Sequence, residues 1–160
     1  MKIKTGYLYH IKDEFFSIVN DENLMSNHEC GKKRPTYFTI KDKDILWFIP
    51  LSSKVEKYKK IIDRKINKYG RCDTILIRKI LGKDSVVLIQ NAFPTLEKYI
   101  DHAHLSDNGK PAKVIESLKD EILNNFIYLL KLKSRGVNLF FTDIDKIKKQ
   151  MLEELKNSNK

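Results

Sequence analysis

With 160 residues and a hydrophobic content of 41%, the chain can bury a core without disulfides or a structural metal, which argues against a disordered protein. Its formal net charge of +10 predicts a polyanionic partner: RNA, DNA or, less favoured, an anionic membrane surface. No apolar run approaches the roughly 20 residues of a membrane span, and no secretory signal is expected. Cys30 and Cys72 form no metal or redox spacing, so we expect a single cytoplasmic domain over residues 1–160.

The first half of the chain alternates apolar runs with turn residues. In order, we expect a strand at 6–11, a helix capped by Asp13, a loop over 20–31 and a hairpin with strands at 36–41 and 45–49. After Ser53, apolar residues recur at helical spacing at Val55, Tyr58, Ile61, Ile62, Ile66 and Tyr69. Gly70 follows the last of these, as expected at a helix C-terminus.

The second half predicts another hairpin and two further helices. We expect strands at 74–78 and 86–90, a surface loop over 101–111, a helix over 112–135, a last helix capped by Thr142 or Asp143, and frayed residues at 156–160. Strands and helices are intermixed, and hairpins dominate the sheet. The expected fold class is therefore α+β, with a compact, curved, mostly antiparallel sheet surrounded by helices.

Positive charge is concentrated between residues 32 and 83. This block has 16 Lys or Arg and 5 Asp or Glu, an excess larger than the net charge of the whole chain. Such a concentration is typical of a binding face rather than of general solubility. The side chains expected to bind RNA are Lys32, Lys41, Lys43, Lys60, Arg64, Lys68 and Arg71.

The start of the helix after Ser53 has two interpretations. Ser53-Lys54-Val55-Glu56 fits the S-x-x-E capping box, in which Ser53 and Glu56 close a helix N-terminus. However, Lys54, Lys57 and Lys59 crowd the first turns, where the helix dipole disfavours cations. Free amides, hydroxyls and ammonium groups at a helix N-terminus also form a phosphate cradle, and a serine hydroxyl can serve both purposes.

Metal-dependent chemistry has little support. Asp101, His102 and His104 lie close together, but an H-x-H in a loop is a weak signal for a metal site. No Walker loop, G-x-G-x-x-G, H-E-x-x-H or two-metal carboxylate cluster is present. We therefore expect neither metal nor cofactor, and a nuclease built on this chain would have to work without a metal.

Two segments resemble the signature of the ToxN/AbiQ endoribonuclease toxins, namely Lys33-Arg34-Pro35-Thr36-Tyr37-Phe38 and Phe48-Ile49-Pro50-Leu51-Ser52-Ser53. Those toxins carry a basic residue at the start of a strand and later an A-P-L-[ST]-S segment. Within the group, the chain is most similar to the CptIN branch. That similarity extends to residues 6–10, 90–94 and 138–143, so it covers the chain from end to end.

The resemblance implies a toxin of a type III toxin–antitoxin system. Such a toxin cleaves RNA and is held inactive by a repetitive RNA antitoxin, folded as a pseudoknot, that it processes itself. It implies the curved antiparallel fold of the Kid/MazF ribonucleases, cellular RNA as substrate, and a closed protein–RNA assembly.

The resemblance also implies site residues. Ser53 matches the key active-site serine, Ser52 a Thr or Ser, and Arg34 or Lys33 the upstream cation. The lysine of the family's S-P-K is replaced by Val55, so its role falls to Lys54 or Lys57. The upstream aromatic has no clear match, and His28 is assigned to its place.

Cleavage would proceed by attack of the 2′-OH on the adjacent phosphorus, giving a 2′,3′-cyclic phosphate and a 5′-OH end. The protein must accept one proton, donate another and stabilise charge on the phosphate oxygens. A lysine of lowered pKa or His28 would be the base, and no phosphoserine is expected. The alternatives are a non-catalytic RNA-binding protein and, with less support, an inhibitor or adaptor that mimics a nuclease fold.

Overall fold

The computed structural model describes residues 2–158 and contains nine strands and four α-helices in that range. The strands are β1 (Leu8–Ile11), β2 (His28–Glu29), β3 (Lys32–Lys33), β4 (Thr36–Asp42), β5 (Ile45–Ser52), β6 (Ile75–Ile80), β7 (Lys83–Leu88), β8 (Phe93–Thr95) and β9 (Ile100–Ala103). The helices are α1 (Asp13–Val19), α2 (Val55–Tyr69), α3 (Glu116–Ser134) and α4 (Ile144–Ser158). None of these helices is long and apolar enough to cross a membrane.

The main sheet has the order β6-β7-β5-β4-β1-β9, and β8 also pairs with β5. All of its strand pairs are antiparallel. β5 is the central strand: it pairs with β8 through 46–48 and with β7 through 51–52, and all eight of its residues are buried. The predicted α+β class with a mostly antiparallel sheet is confirmed.

The hydrophobic core fills the space between the sheet and helices α1, α3 and α4. Aromatic contacts connect the layers: the rings of Phe15 and Phe93 lie 5.3 Å apart, and those of Trp47 and Phe126 lie 5.6 Å apart. A smaller cluster beneath α2 contains Tyr58, Ile75, Val86 and Leu88. This cluster fixes the first turns of α2 against β6 and β7.

Local signals placed most elements correctly. Both predicted hairpins and helices α2, α3 and α4 form, although α3 begins at Glu116 rather than near 112. The strand bounds differ: β5 continues to Ser52 instead of ending at 49, and β6–β7 covers 75–80 and 83–88 rather than 74–78 and 86–90. Gly70 ends α2 in the left-handed region, at φ 78°, with its N–H donating to Ile66. Asp143 accepts a hydrogen bond from the Lys146 N–H and so caps α4, as one of the two predicted alternatives.

Several local predictions are wrong. Residues 28–29 and 32–33 form a small separate hairpin at the end of a segment predicted as loop, and β9 includes the first residues of the predicted 101–111 loop. Asp13 is the first residue of α1 but makes no cap; it binds Asn27 and His28 instead. α4 remains helical through 156–158, where fraying was expected, and residues 159–160 lie outside the described range.

The capping box is also wrong. α2 begins at Val55, its N-terminal flanking residue is Lys54, and no side chain caps it. The Ser53 hydroxyl donates to Glu29 instead of to the helix. The charged Glu29 carboxylate therefore binds the Ser53 hydroxyl that the sequence pattern had assigned to the N-terminus of α2.

Candidate active site

The predicted serines and arginine meet because two strands end side by side. The β4–β5 register pairs Thr36 with Pro50, which brings Arg34 next to the end of β5. The Arg34 guanidinium donates to the carbonyl oxygens of Leu51 and Ser26, each at 2.8 Å. Its side chain is only 6% exposed, so this cation is held rigidly below the surface.

Glu29 occupies the centre of this group. Its Oε1 accepts hydrogen bonds from the backbone N–H of Ser53 at 2.8 Å and from the Ser53 hydroxyl at 2.5 Å. Its Oε2 accepts from the Ser52 hydroxyl and from the Arg34 guanidinium, both at 2.7 Å. Two hydroxyls, one amide and one guanidinium therefore surround a single carboxylate, and we call this set of donors the anion cradle.

The anion cradle strongly favours negative charge. Burial by itself would raise the pKa of Glu29, but hydrogen bonds from Ser53 and Ser52 and the charge of Arg34 outweigh burial and lower the pKa to about 2. The carboxylate is thus ionised at neutral pH. A phosphate diester likewise presents two non-bridging oxygens that only accept hydrogen bonds, so the same donors suit it.

Glu29 is brought to the cradle by the β2–β3 hairpin. Its two-residue turn, Cys30-Gly31, has φ values of 53° and 78°, the left-handed pair that a type I′ turn requires. Sequence reasoning missed Glu29. A single glutamate in a polar loop carries no local signal that it will face two serines 23 and 24 residues later.

A groove of about 960 Å³ opens in front of the cradle. Its wall includes, besides the cradle residues, the side chains of Lys32, Lys33, Lys83, Ser85 and His104. Lys33 makes a 2.9 Å ion pair with Asp101, and this hydrogen bond raises the lysine pKa. Lys33 is therefore a fixed positive charge rather than a proton acceptor.

Three histidines meet beside the groove: His10 on β1, His102 on the neighbouring strand β9, and His104 directly after β9. His10 Nε2 lies 2.8 Å from His104 Nδ1, and the rings of His10 and His102 stack with centroids 4.7 Å apart. Burial, aided by the other histidines, lowers the pKa of His10 to about 4, and burial also lowers that of His104. His104 is thus neutral at pH 7 and able to accept a proton.

Sequence reasoning considered His102 and His104 as a weak metal signal, and it included His10 in the family resemblance without giving it a role in the site. The one available signal was the H-x-H spacing, which places two side chains on one face of an extended segment. Among residues 2–158, no group of three or more His, Cys, Asp or Glu side chains is placed to hold a metal ion.

The other predicted site residues lie around the cradle rather than in it. His28 is exposed and binds Asp13 at 2.8 Å, outside the groove lining. Lys54 precedes α2, and Lys57 lies over the Tyr58 ring at 5.1 Å. None of these three residues lines the groove.

The predicted RNA-binding cations separate into two places. Lys32 lines the groove, while Lys60, Arg64, Lys68 and Arg71 are exposed along and just after α2. Lys41 and Lys43 lie at the opposite end of the β4–β5 hairpin, about 20 Å from Ser52 at ~3.3 Å per residue. Lys60, Arg64 and Lys68 recur every four residues and so lie on one face of α2, which begins two residues after Ser53, whereas the hairpin-tip lysines lie far from the cradle.

No family model and no curated protein matches the chain. A solved structure of AbiQ, a lactococcal anti-phage endoribonuclease belonging to the type III toxin–antitoxin system, matches with a TM-score of 0.75, covering 96% of this chain and 99% of AbiQ at 14% identity. The fold is that of AbiQ.

A second solved structure, from work on toxin inhibition by a non-coding RNA pseudoknot in bacterial type III toxin–antitoxin systems, has a TM-score of 0.66. It is 16% identical and covers 94% of this chain and 98% of its own. The shared fold confirms the architecture that the sequence resemblance implied.

Proposed function

We propose that the chain is an endoribonuclease toxin of the ToxN/AbiQ family, CptIN branch, in a type III toxin–antitoxin system. The fold shared with AbiQ and the sequence resemblance support this proposal. The observation that carries it is the anion cradle: a basic groove leads to four donors that already hold a carboxylate.

In this proposal the scissile phosphate takes the place of the Glu29 carboxylate. Its non-bridging oxygens then accept hydrogen bonds from the hydroxyls of Ser52 and Ser53 and from the Ser53 N–H. A base takes the proton of the 2′-OH as its oxygen attacks the phosphorus, the bond from phosphorus to the 5′-oxygen breaks, and an acid protonates that oxygen, giving a 2′,3′-cyclic phosphate and a 5′-OH end. Preorganised donors at the phosphate oxygens stabilise the charge that accumulates in the transition state.

Positive charge for this step comes from Arg34 and Lys33. Arg34 is released from its pair with Glu29 when phosphate enters, and Lys33 stays protonated because Asp101 raises its pKa. Lys54 and Lys57 extend the charge along the start of α2. Since hydroxyl, amide and guanidinium groups supply the stabilisation, we propose that cleavage is independent of metal.

Proton transfer requires a neutral base and an acid. A serine at its ordinary pKa is a poor base, so Ser53 orients the phosphate and forms no phosphoserine. His104 joins His28 as a candidate: it is neutral at pH 7 and lines the groove, whereas His28 lies outside the lining. We therefore propose His104 as a candidate base beside the histidine named from the sequence.

The partners follow from the same proposal. They are cellular RNA as substrate and, as inhibitor, a repeat-derived RNA pseudoknot that the enzyme processes, in a closed protein–RNA assembly in the cytoplasm. The excess of cations between residues 32 and 83 supports a polyanionic partner. The second structural neighbour comes from a toxin system inhibited by an RNA pseudoknot, which supports an antitoxin of this kind.

The test is Ser53→Ala, with Glu56→Ala as the control for a change at the start of α2. We expect Ser53→Ala to bind RNA with nearly unchanged affinity and to lose about 10²–10³-fold in single-turnover cleavage. Glu56→Ala should cut normally, because no capping box forms. A Ser53→Ala protein that cuts normally would contradict the catalytic role. A wild-type protein that binds RNA with steep salt dependence and never cuts it would instead support the non-catalytic alternative.

A further inference from the structure

Large aromatic side chains are left in water at the C-terminal end of α2. Tyr69 is 65% exposed and Phe141 is 54% exposed. The apolar periodicity of α2 places Ile66 and Tyr69 on its inward face, yet both are exposed because the small core beneath α2 involves its first turns. The last turns of α2 therefore extend beyond the cluster of β6 and β7 side chains against which its first turns pack.

Each ring in this region contacts a cation. Lys68 Nζ lies 5.1 Å from the centroid of Tyr69, and Lys65 Nζ lies 6.0 Å from that of Phe141. The Arg71 guanidinium lies 5.0 Å from the ring of Tyr128 on α3. We call these six side chains the aromatic surface.

The aromatic surface is structurally defined, although it is exposed. Lys65 Nζ donates to Thr74 Oγ1 at 2.9 Å and to Gln90 Oε1 at 3.2 Å, and the Phe141 N–H donates to the Gln90 carbonyl at 2.8 Å. Gln90 therefore accepts hydrogen bonds both from the Lys65 ammonium group and from the backbone of Phe141. Lys65 and Tyr69 are four residues apart on α2, so they lie on one face of the helix.

The distance to the anion cradle suits a single strand of RNA. From Val55 to Tyr69, α2 rises about 21 Å at ~1.5 Å per residue. At ~3.4 Å per stacked nucleotide, this length corresponds to about six nucleotides. Between the two ends, the exposed Lys60 and Arg64 provide charge for the intervening phosphates.

Alternating cations and exposed rings are the chemistry that binds single-stranded nucleic acid. Aromatic rings stack on bases of any sequence, and the adjacent cations bind phosphates. A protein partner would favour a continuous apolar patch, whereas here a positive charge lies against every ring. Of the nearby acids, Asp73 is paired with Arg71 at 2.6 Å, so the surface stays net positive.

We propose that the aromatic surface binds the bases of single-stranded RNA about six nucleotides from the phosphate in the anion cradle. This assignment rests on the proposed function and extends its substrate site along α2. Tyr69 and Phe141 supply the base contacts, and Lys65 and Lys68 bind the flanking phosphates.

The experiment compares RNA lengths. Fluorescence anisotropy would measure the binding of 2′-O-methyl oligouridylates of 4 and 14 nucleotides, which cannot be cleaved because the attacking hydroxyl is blocked. We expect Tyr69→Ala and Phe141→Ala each to weaken binding of the 14-mer about 10-fold, the low end of one lost base stack, and to leave the 4-mer unchanged. Tyr69→Phe should retain wild-type affinity.

The matched control is Leu152→Ala on α4, which removes a side chain of 44% exposure away from this surface. The proposal is overturned if the 14-mer binds both alanine variants as tightly as the wild type, or if the 4-mer and 14-mer weaken equally. Because the probes are not cleaved, the result does not depend on catalysis. If the alanine variants show the length-dependent loss of affinity but the wild-type protein does not cut natural RNA, the result contradicts the proposed function and leaves the RNA-binding role of the aromatic surface standing.

Discussion

Replacing Glu29 by Gln removes the charge that the anion cradle holds, with almost no change in side-chain shape. An amide can still accept from the Ser53 N–H, but its NH₂ group would meet Arg34 and the Ser52 hydroxyl, both of which donate to Oε2 in the wild type. The Ser52 hydroxyl can rotate to accept from the amide, but the hydrogen bond from Arg34 to a charged group is lost, at about 1.5–3 kcal/mol. The buried guanidinium is left without its counter-ion.

The pKa of Glu29 gives a second magnitude for the same interactions, because the hydrogen bonds and the charge of the cradle are what lower it. Lowering it from 4.5 to about 2 corresponds to about 3 kcal/mol at ~1.4 kcal/mol per pKa unit, before a reduction for solvent screening. For a chain of this size, each kcal/mol lowers the thermal midpoint by about 2–4 °C, so the unreduced value sets an upper limit of about 12 °C. We expect Glu29→Gln to unfold at a correspondingly lower temperature and Glu56→Gln, an exposed carboxylate on α2, to unfold near the wild-type midpoint.

The same variant tests whether Glu29 occupies the phosphate position. If it does, the site in Glu29→Gln lacks the competing negative charge and has an unpaired cation, so inorganic phosphate should raise its thermal midpoint more than that of the wild type. Non-cleavable RNA should also bind the variant more tightly. Equal phosphate stabilisation in both proteins, together with unchanged or weaker RNA binding, would refute the reasoning and leave Glu29 as a structural partner of Arg34.

Further outcomes are expected from the same structure. The stability difference between wild type and Glu29→Gln should be fully present above pH 4.5 and disappear as the pH falls towards 2, because only the ionised carboxylate stabilises the native state; unfolding by urea across this range measures it. Charge reversal at Lys60 and Arg64 should weaken RNA binding and reduce the salt slope by about 0.7 per lost contact, and a salt-independent affinity would remove the electrostatic argument. Cleavage should persist in excess EDTA, and a requirement for a divalent ion would contradict the proposed chemistry. Phe126→Ala, which empties a fully buried core position, should cost about 3–5 kcal/mol by urea unfolding.

The sequence by itself determined the elements whose signals are local. Alternation and turn residues predicted the hairpins β4–β5 and β6–β7, because strands joined by two residues pair wherever the turn allows it. Helical periodicity and Gly70 predicted α2 and its end. The charge excess between 32 and 83 indicated the basic side chains of the groove and helix, since most charged residues remain on the surface; Arg34, which is buried against Glu29, is an exception.

Other elements depended on partners distant in sequence. β8 and β9 are three and four residues long with no clear alternation, and they form because β5 and β1 provide edges for pairing. Ile66 and Tyr69 fit the helical spacing of apolar residues in α2. They are nevertheless exposed to solvent, because the small core beneath the helix covers only its first turns.

The candidate site separates most clearly what the sequence predicts from what only the tertiary structure determines. Ser52, Ser53 and Arg34 were identifiable from sequence, and the β4–β5 register brings them together. That Ser53 binds Glu29 and caps no helix, and that His10 meets His104 across 94 residues, was decided by the tertiary structure. A sequence pattern describes which local hydrogen bonds a side chain can make. The tertiary structure determines which of these hydrogen bonds a buried charge replaces. The charged Glu29 carboxylate, which accepts from four donors, binds the Ser53 hydroxyl more strongly than a neutral helix N-terminus would.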